Sequence, residues 1–121
     1  MARILLADDE AAVREFVRRA LVAQGHEVTS VSDGAEALQA LKSSPFDLLL
    51  TDIVMPLMDG IALALKVAKE HPKVRILLMT GYAAERERAH NLHVLVHEVV
   101  SKPFTMRQIC DAVEQALASG S

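Results

Sequence analysis

Three consecutive acids, Asp8, Asp9 and Glu10, follow the apolar run Ile4-Leu5-Leu6-Ala7, and a further acid, Asp52, closes the run that begins at Leu48. Carboxylates crowded in this way repel and raise one another's pKa unless a positive charge stands among them, and a divalent cation meets that need. Oxygen donors with no cysteine nearby select a hard ion. Mg2+ typically uses one or two carboxylates and leaves positions for water and phosphate oxygens. Asp52 follows an apolar strand and precedes Pro56, which turns the chain away, so its carboxylate has the placement of a nucleophile. Phosphoryl transfer asks a protein mainly for positioning and for neutralising charge on the equatorial oxygens. Two further polar residues after apolar runs suit that work. The Thr80 hydroxyl can donate to a phosphoryl oxygen, and the Lys102 ammonium can pair with Asp52 before transfer and with the phosphoryl group afterwards.

Each of these residues also has a plainer explanation. Asp8 or Asp9 would serve as N-cap of the first helix, Asp52 as a turn residue, Thr80 as a satisfied strand-end hydroxyl and Lys102 as a solvated charge. It is their joint position after successive strands that favours chemistry. His90, His93 and His97 stand at i, i+3 and i+7, but no carboxylate pattern accompanies them and a zinc site is disfavoured.

The elements that must position these groups alternate along the chain. Short apolar runs at 3–7, 27–31, 47–51, 74–79 and 96–100 are the expected strands, and Leu48-Leu49-Leu50 and Ile76-Leu77-Leu78 are continuously apolar, as central parallel strands covered on both faces are. Helical spacing separates them. Val13, Phe16, Val17, Ala20 and Leu21 form one stripe; Ala37, Leu38 and Leu41 form another, begun by Asp33-Gly34 and ended before Pro45. A third helix is expected over 60–69, with Asp59-Gly60 as its turn and start and the glycine permitting an otherwise strained backbone. A last helix carries Met106, Ile109, Cys110, Val113 and Leu117, with Thr105 as N-cap and Cys110 buried and inert. Residues 83–95, with the charged run Glu85 to Arg88, read as a short exposed helix. Five strands and about five helices in alternation, with right-handed crossovers, predict an α/β doubly wound parallel sheet whose ligand site lies at the strands' carboxyl ends.

The bulk properties narrow the function. A chain of 121 residues, 51% hydrophobic and 24% charged, suits one globular domain over 1–121, with 119–121 a frayed tail. A net charge of −3 gives no basic footprint for nucleic acid, and no apolar run approaches a membrane span. The single cysteine and the absence of a signal-peptide pattern point to the cytoplasm. No GxGxxG or Walker A loop follows the first strand.

With these residues in hand, the chain resembles the receiver family of two-component signalling, in its stand-alone form. The resemblance rests on ILLADDE at 4–10, LLLTDIVMPLMDG at 48–60, MTGY at 79–82 and SKPF at 101–104, in the family's order and spacing. It implies a flavodoxin-like, CheY-like fold with strand order 2-1-3-4-5. It further implies an Mg2+ ion held by Asp8, Asp9, Asp52 and the backbone carbonyl of Val54, phosphorylation on Asp52, and a switch pair in Thr80 and Lys102. The implied donor is a histidine kinase or histidine phosphotransferase, and the state would be read in trans, on the face of the fourth helix, fifth strand and last helix, by a protein partner. The stretches TDIVMPLMDGIALA and MTGYAA are similar to those of stand-alone alphaproteobacterial receivers that, when unphosphorylated, prime the ClpXP protease, which implies ClpX as that partner. A phosphate shuttle or sink is the alternative, and a monomer or weak dimer is expected. Gly81 replaces the frequent alanine after the threonine, and Val99 occupies the usual aromatic switch position, leaving Tyr82 as the substitute aromatic. A phosphatase of the haloacid-dehalogenase type would need an aspartate where Val54 stands, so the chain is not expected to be an enzyme acting on other substrates.

Overall fold

Alternate residues of the three central strands feed two separate halves of the core, which is why those strand sequences are apolar almost throughout rather than at every second residue. The structure is a computed structural model and describes residues 1–81, 87, 89 and 98–118. Its elements are β1 Arg3–Ala7, α1 Ala11–Ala23, β2 Glu27–Val31, α2 Gly34–Ser43, β3 Leu48–Asp52, α3 Gly60–Glu70, β4 Arg75–Thr80, β5 Glu98–Ser101 and α4 Met106–Ala118. The strands pair in parallel in the order β2-β1-β3-β4-β5. Ile4, Leu6, Leu48, Leu50, Leu77 and Met79 pack on one face against Val17 and Leu21 of α1 and Ile109 and Val113 of α4. Leu5, Leu49, Ile76 and Leu78 pack on the other against Ala37 and Leu41 of α2 and Leu63 and Val67 of α3. Each fully buried leucine contributes roughly 1.5–3 kcal/mol, so much of the burial energy of the fold is concentrated in the central strands β1, β3 and β4.

The helix starts follow local chemistry. Asp33 and Asp59 accept the backbone N–H groups of Glu36 and Ala62, each at 2.8 Å. Thr105 and Gln108 form a reciprocal capping box at 3.0 and 2.8 Å.

The bounds of four elements are corrected. The third and fourth strands are shifted one residue along, to Leu48–Asp52 and Arg75–Thr80, and the fifth ends one residue later than expected, at Ser101, because Asp52 pairs with Met79 and Thr80 with Ser101 in the ladder. Asp52 and Thr80 are therefore the last strand residues, held by sheet pairing, and not the first loop residues. α3 continues to Glu70 and closes on His71, whose N–H donates to the Val67 carbonyl at 2.7 Å. Four helices are present among the described residues. The expected helix over 83–95 lies outside them apart from helical Glu87 and Ala89, as do Tyr82, His90, His93, His97, the start of the fifth strand and residues 119–121.

Candidate functional site

The crevice at the carboxyl ends of β1 and β3 is where the strand order reverses, and loops leave it toward opposite faces of the sheet. β1 delivers Asp8, which is fully buried. Its N–H continues the β1–β2 pairing by donating to the Val31 carbonyl at 3.2 Å, and its Oδ1 accepts the Glu10 N–H at 2.9 Å. Arg14, one turn into α1, donates to the Asp8 carbonyl at 2.6 Å and ties the helix to the acidic loop. Neither Asp8 nor Asp9 caps that helix: Glu10 is the N-cap residue and makes no side-chain cap bond. The plainer reading of the two aspartates thus finds no support in the geometry.

β3 delivers Asp52, buried at its last position. The loop after it turns through Leu57, which has a positive φ of 69°, and returns so closely that a Cβ on Gly60 would stand 2.1 Å from the Asp52 carbonyl oxygen. Gly60 is therefore required by close approach of backbone to backbone, not by a left-handed conformation. This corrects the expected reason and makes Gly60 part of what fixes the phosphoacceptor candidate. Thr80, buried at the end of β4, accepts the Lys102 N–H on its carbonyl at 2.8 Å. The Lys102–Pro103 peptide is cis. Gly81 is exposed, and a Cβ there would meet Lys102 Cβ at an ordinary 3.7 Å, so the departure from alanine is sterically neutral.

The Lys102 ammonium draws these parts together. Its Nζ stands 3.2 Å from Asp8 Oδ2, 3.2 Å from Asp52 Oδ1 and 3.5 Å from Glu10 Oε1. Burial, reinforced by the charges of Asp8 and Asp9 and opposed by Lys102, pushes the Asp52 carboxyl up to about 6. Asp8 is also raised, by burial first, against the Glu10 N–H and Lys102. Burial pulls Lys102 down, but the Asp8 and Asp52 charges outweigh it and leave the ammonium above its ordinary value. One ammonium does not balance the acids around it. Carboxylate oxygens of Asp8, Glu10 and Asp52 lie within 4.8 Å of one another, a purely oxygen donor set that fits a hard divalent ion such as Mg2+. Asp9 is exposed at the rim of the same crevice, which also takes in Val54 and Phe16 in an open space of about 800 Å³.

Of the residues expected to act, Asp8, Asp52 and Lys102 are brought into direct contact, while Asp9, Val54 and Thr80 stand at the edges of that contact. Glu10 and Arg14 were not among them. Glu10's place next to the two aspartates was visible, whereas the Arg14 contact depends on how α1 leaves the loop.

Residues 4–114 match the response regulator receiver domain family. The chain is 42% identical over 117 residues to the response regulator receiver protein CpdR of Brucella abortus, covering 97% of this chain and 98% of that protein. It is 35% identical over 119 residues to the sensor kinase CckA of the same organism, but there it covers only 12% of the relative. Among solved structures it is similar to the response regulator TrrA from Thermotoga maritima in complex with Mg(2+)-BeF, with a TM-score of 0.88, 32% identity and coverage of 97% and 100% of the two chains. With the fold, the strand-end acids and the lysine in agreement with these likenesses, the chain belongs to the receiver domain family of two-component response regulators.

Proposed function

We propose that the chain accepts a phosphoryl group on Asp52 from a phosphohistidine donor and changes its affinity for a protein partner accordingly. The observation that carries this reading is the single ammonium of Lys102 held 3.2 Å from both Asp8 and Asp52 at the point where the strand order reverses. In the transfer an Asp52 carboxylate oxygen forms the new bond to phosphorus. The phosphorus–nitrogen bond of the donor breaks, its electron pair stays on the imidazole, and that ring then takes up a proton. Asp8, Asp9, Asp52 and the Val54 carbonyl would hold Mg2+, which supplies charge neutralisation on the phosphoryl oxygens when bound. Lys102 leaves the carboxylate for a phosphoryl oxygen, and the Thr80 hydroxyl donates to another.

The near full-length likeness to CpdR supports a role in the cytoplasm as a stand-alone receiver read in trans, with ClpX as the partner to test. The CckA likeness makes a relay containing such a kinase, or its phosphotransfer protein, the first donor to test. A partner with equal affinity for both states would shift nothing, so the regulated contact must differ between them. The test is incubation with acetyl phosphate followed by intact-mass measurement, in Mg2+ and in EDTA, for the wild type and Asp52→Ala. A phosphate adduct on the wild type in Mg2+ alone is expected; an adduct on Asp52→Ala of equal extent would overturn the assignment.

A further inference from the structure

Glu10 occupies the N-cap position of α1 with extended backbone, φ −88° and ψ 110°, yet its side chain makes no cap bond. Helix chemistry alone favours Asp, Asn, Ser or Thr at such a position, because a shorter side chain reaches the free N–H groups. The longer carboxylate instead extends into the crevice. Its oxygen lies 3.5 Å from Lys102 Nζ and within 4.8 Å of donor oxygens on Asp8 and Asp52. Glu10 remains 63% exposed, so an ion pair with Lys102 has little worth by itself and does not account for the placement.

The ammonium sits close to oxygens of all three carboxylates, at 3.2, 3.5 and 3.2 Å. That is the position a cation takes among three acids. A metal ion and the ammonium cannot share it, since both are positive and both need the same oxygens. Resting on the reading of this crevice as an Mg2+ site, we infer that Glu10 is a further carboxylate of that site, acting on the ion directly or through one of its waters. The ion would displace Lys102 from the Asp8, Glu10 and Asp52 carboxylates. Ion binding thereby releases the ammonium toward the position of an incoming phosphoryl group, and Glu10 strengthens the ion's side of that exchange by adding a charged oxygen donor.

Calorimetric titration of the unphosphorylated full chain with MgCl2 tests this, using wild type, Glu10→Gln, Lys102→Gln and the double variant, with circular dichroism melting to establish that each is folded. Glu10→Gln is expected to weaken Mg2+ binding about five- to tenfold, since ligand charge sets affinity in oxygen sites. Lys102→Gln is expected to tighten it severalfold by removing the competitor. The Glu10→Gln loss should persist undiminished in the Lys102→Gln background. A Glu10 effect that is absent, or that vanishes once Lys102 is gone, overturns the inference while leaving the Mg2+ site intact. Unchanged binding in Lys102→Gln overturns the exchange, and a wild type that binds no Mg2+ overturns both the inference and the reading on which it rests.

Discussion

The two ends of the sheet use polar residues in opposite ways. At the amino end, partners match singly: buried His26 accepts the Ala2 N–H on Nδ1 at 3.1 Å and so carries its proton on Nε2, which faces Glu114 Oε1 at 2.8 Å. Arg3 pairs with Glu27 at 3.3 Å and lies over the Phe46 ring at 5.3 Å, while its N–H donates to Asp47 at 2.8 Å. At the carboxyl end, Asp8, Glu10 and Asp52 converge on one ammonium, and Asp52 is driven up to about 6. One end is arranged for stability. The other gathers three acids around one ammonium and leaves Asp52 holding its proton more tightly than an ordinary carboxyl.

The largest expected effect breaks the carboxyl end sterically. Gly60→Ala puts a methyl group 2.1 Å from the Asp52 carbonyl oxygen, where backbone must move. Urea unfolding should show a loss of about 3 kcal/mol, with slower modification by acetyl phosphate. Next, His26→Ala removes the buried link between the β1 start and α4. It should cost about 1–3 kcal/mol while leaving the acetyl phosphate rate of the folded protein near wild type, and a large loss of rate would show that the ends are coupled.

Asp52→Asn works in the opposite direction. The folded carboxyl titrates near 6 against an ordinary value of 3.8, so the folded state holds its proton longer than the unfolded chain. Stability from this group is therefore full below about pH 4, falls as pH rises and reaches its minimum above about pH 6. The asparagine variant cannot ionise. Without metal it should be more stable than wild type by about 1–2 kcal/mol at pH 7.5, after allowing for the partner lost to Lys102, and the gain should fade toward pH 4 in a pH series of thermal melts. Gly81→Ala is the smallest change: with only an ordinary 3.7 Å contact to meet, it should alter stability by no more than about 0.5 kcal/mol in the same melts.

Much of this contrast was legible in the sequence. The first two strands were placed at their observed bounds, the Leu48-Leu49-Leu50 run announced a strand covered on both faces, and Thr105 was recognised as a cap, because each depends on neighbours a few residues away. The ends of β3, β4 and β5 lie one residue beyond the apolar pattern. A terminal Asp or Thr looks like loop until its ladder partner on the next strand is known. The reason for Gly60 was misread for a similar cause, since its close neighbour is the backbone of Asp52 across a folded loop. Lys102 and Asp8 are 94 residues apart, and no periodicity reports a contact of that separation. Their meeting followed from placing both at carboxyl ends, whereas Glu10's share in it depends on how the loop before α1 carries its side chain toward Lys102.

The most direct test of the central claim, that the acids gathered at the carboxyl end bind Mg2+, is the thermal unfolding midpoint of the wild type in excess Mg2+ compared with EDTA at pH 7.5. The account predicts a rise of roughly 3–6 °C in Mg2+, as ligand linkage gives for an ion well above its dissociation constant. Identical midpoints in the two conditions would contradict it.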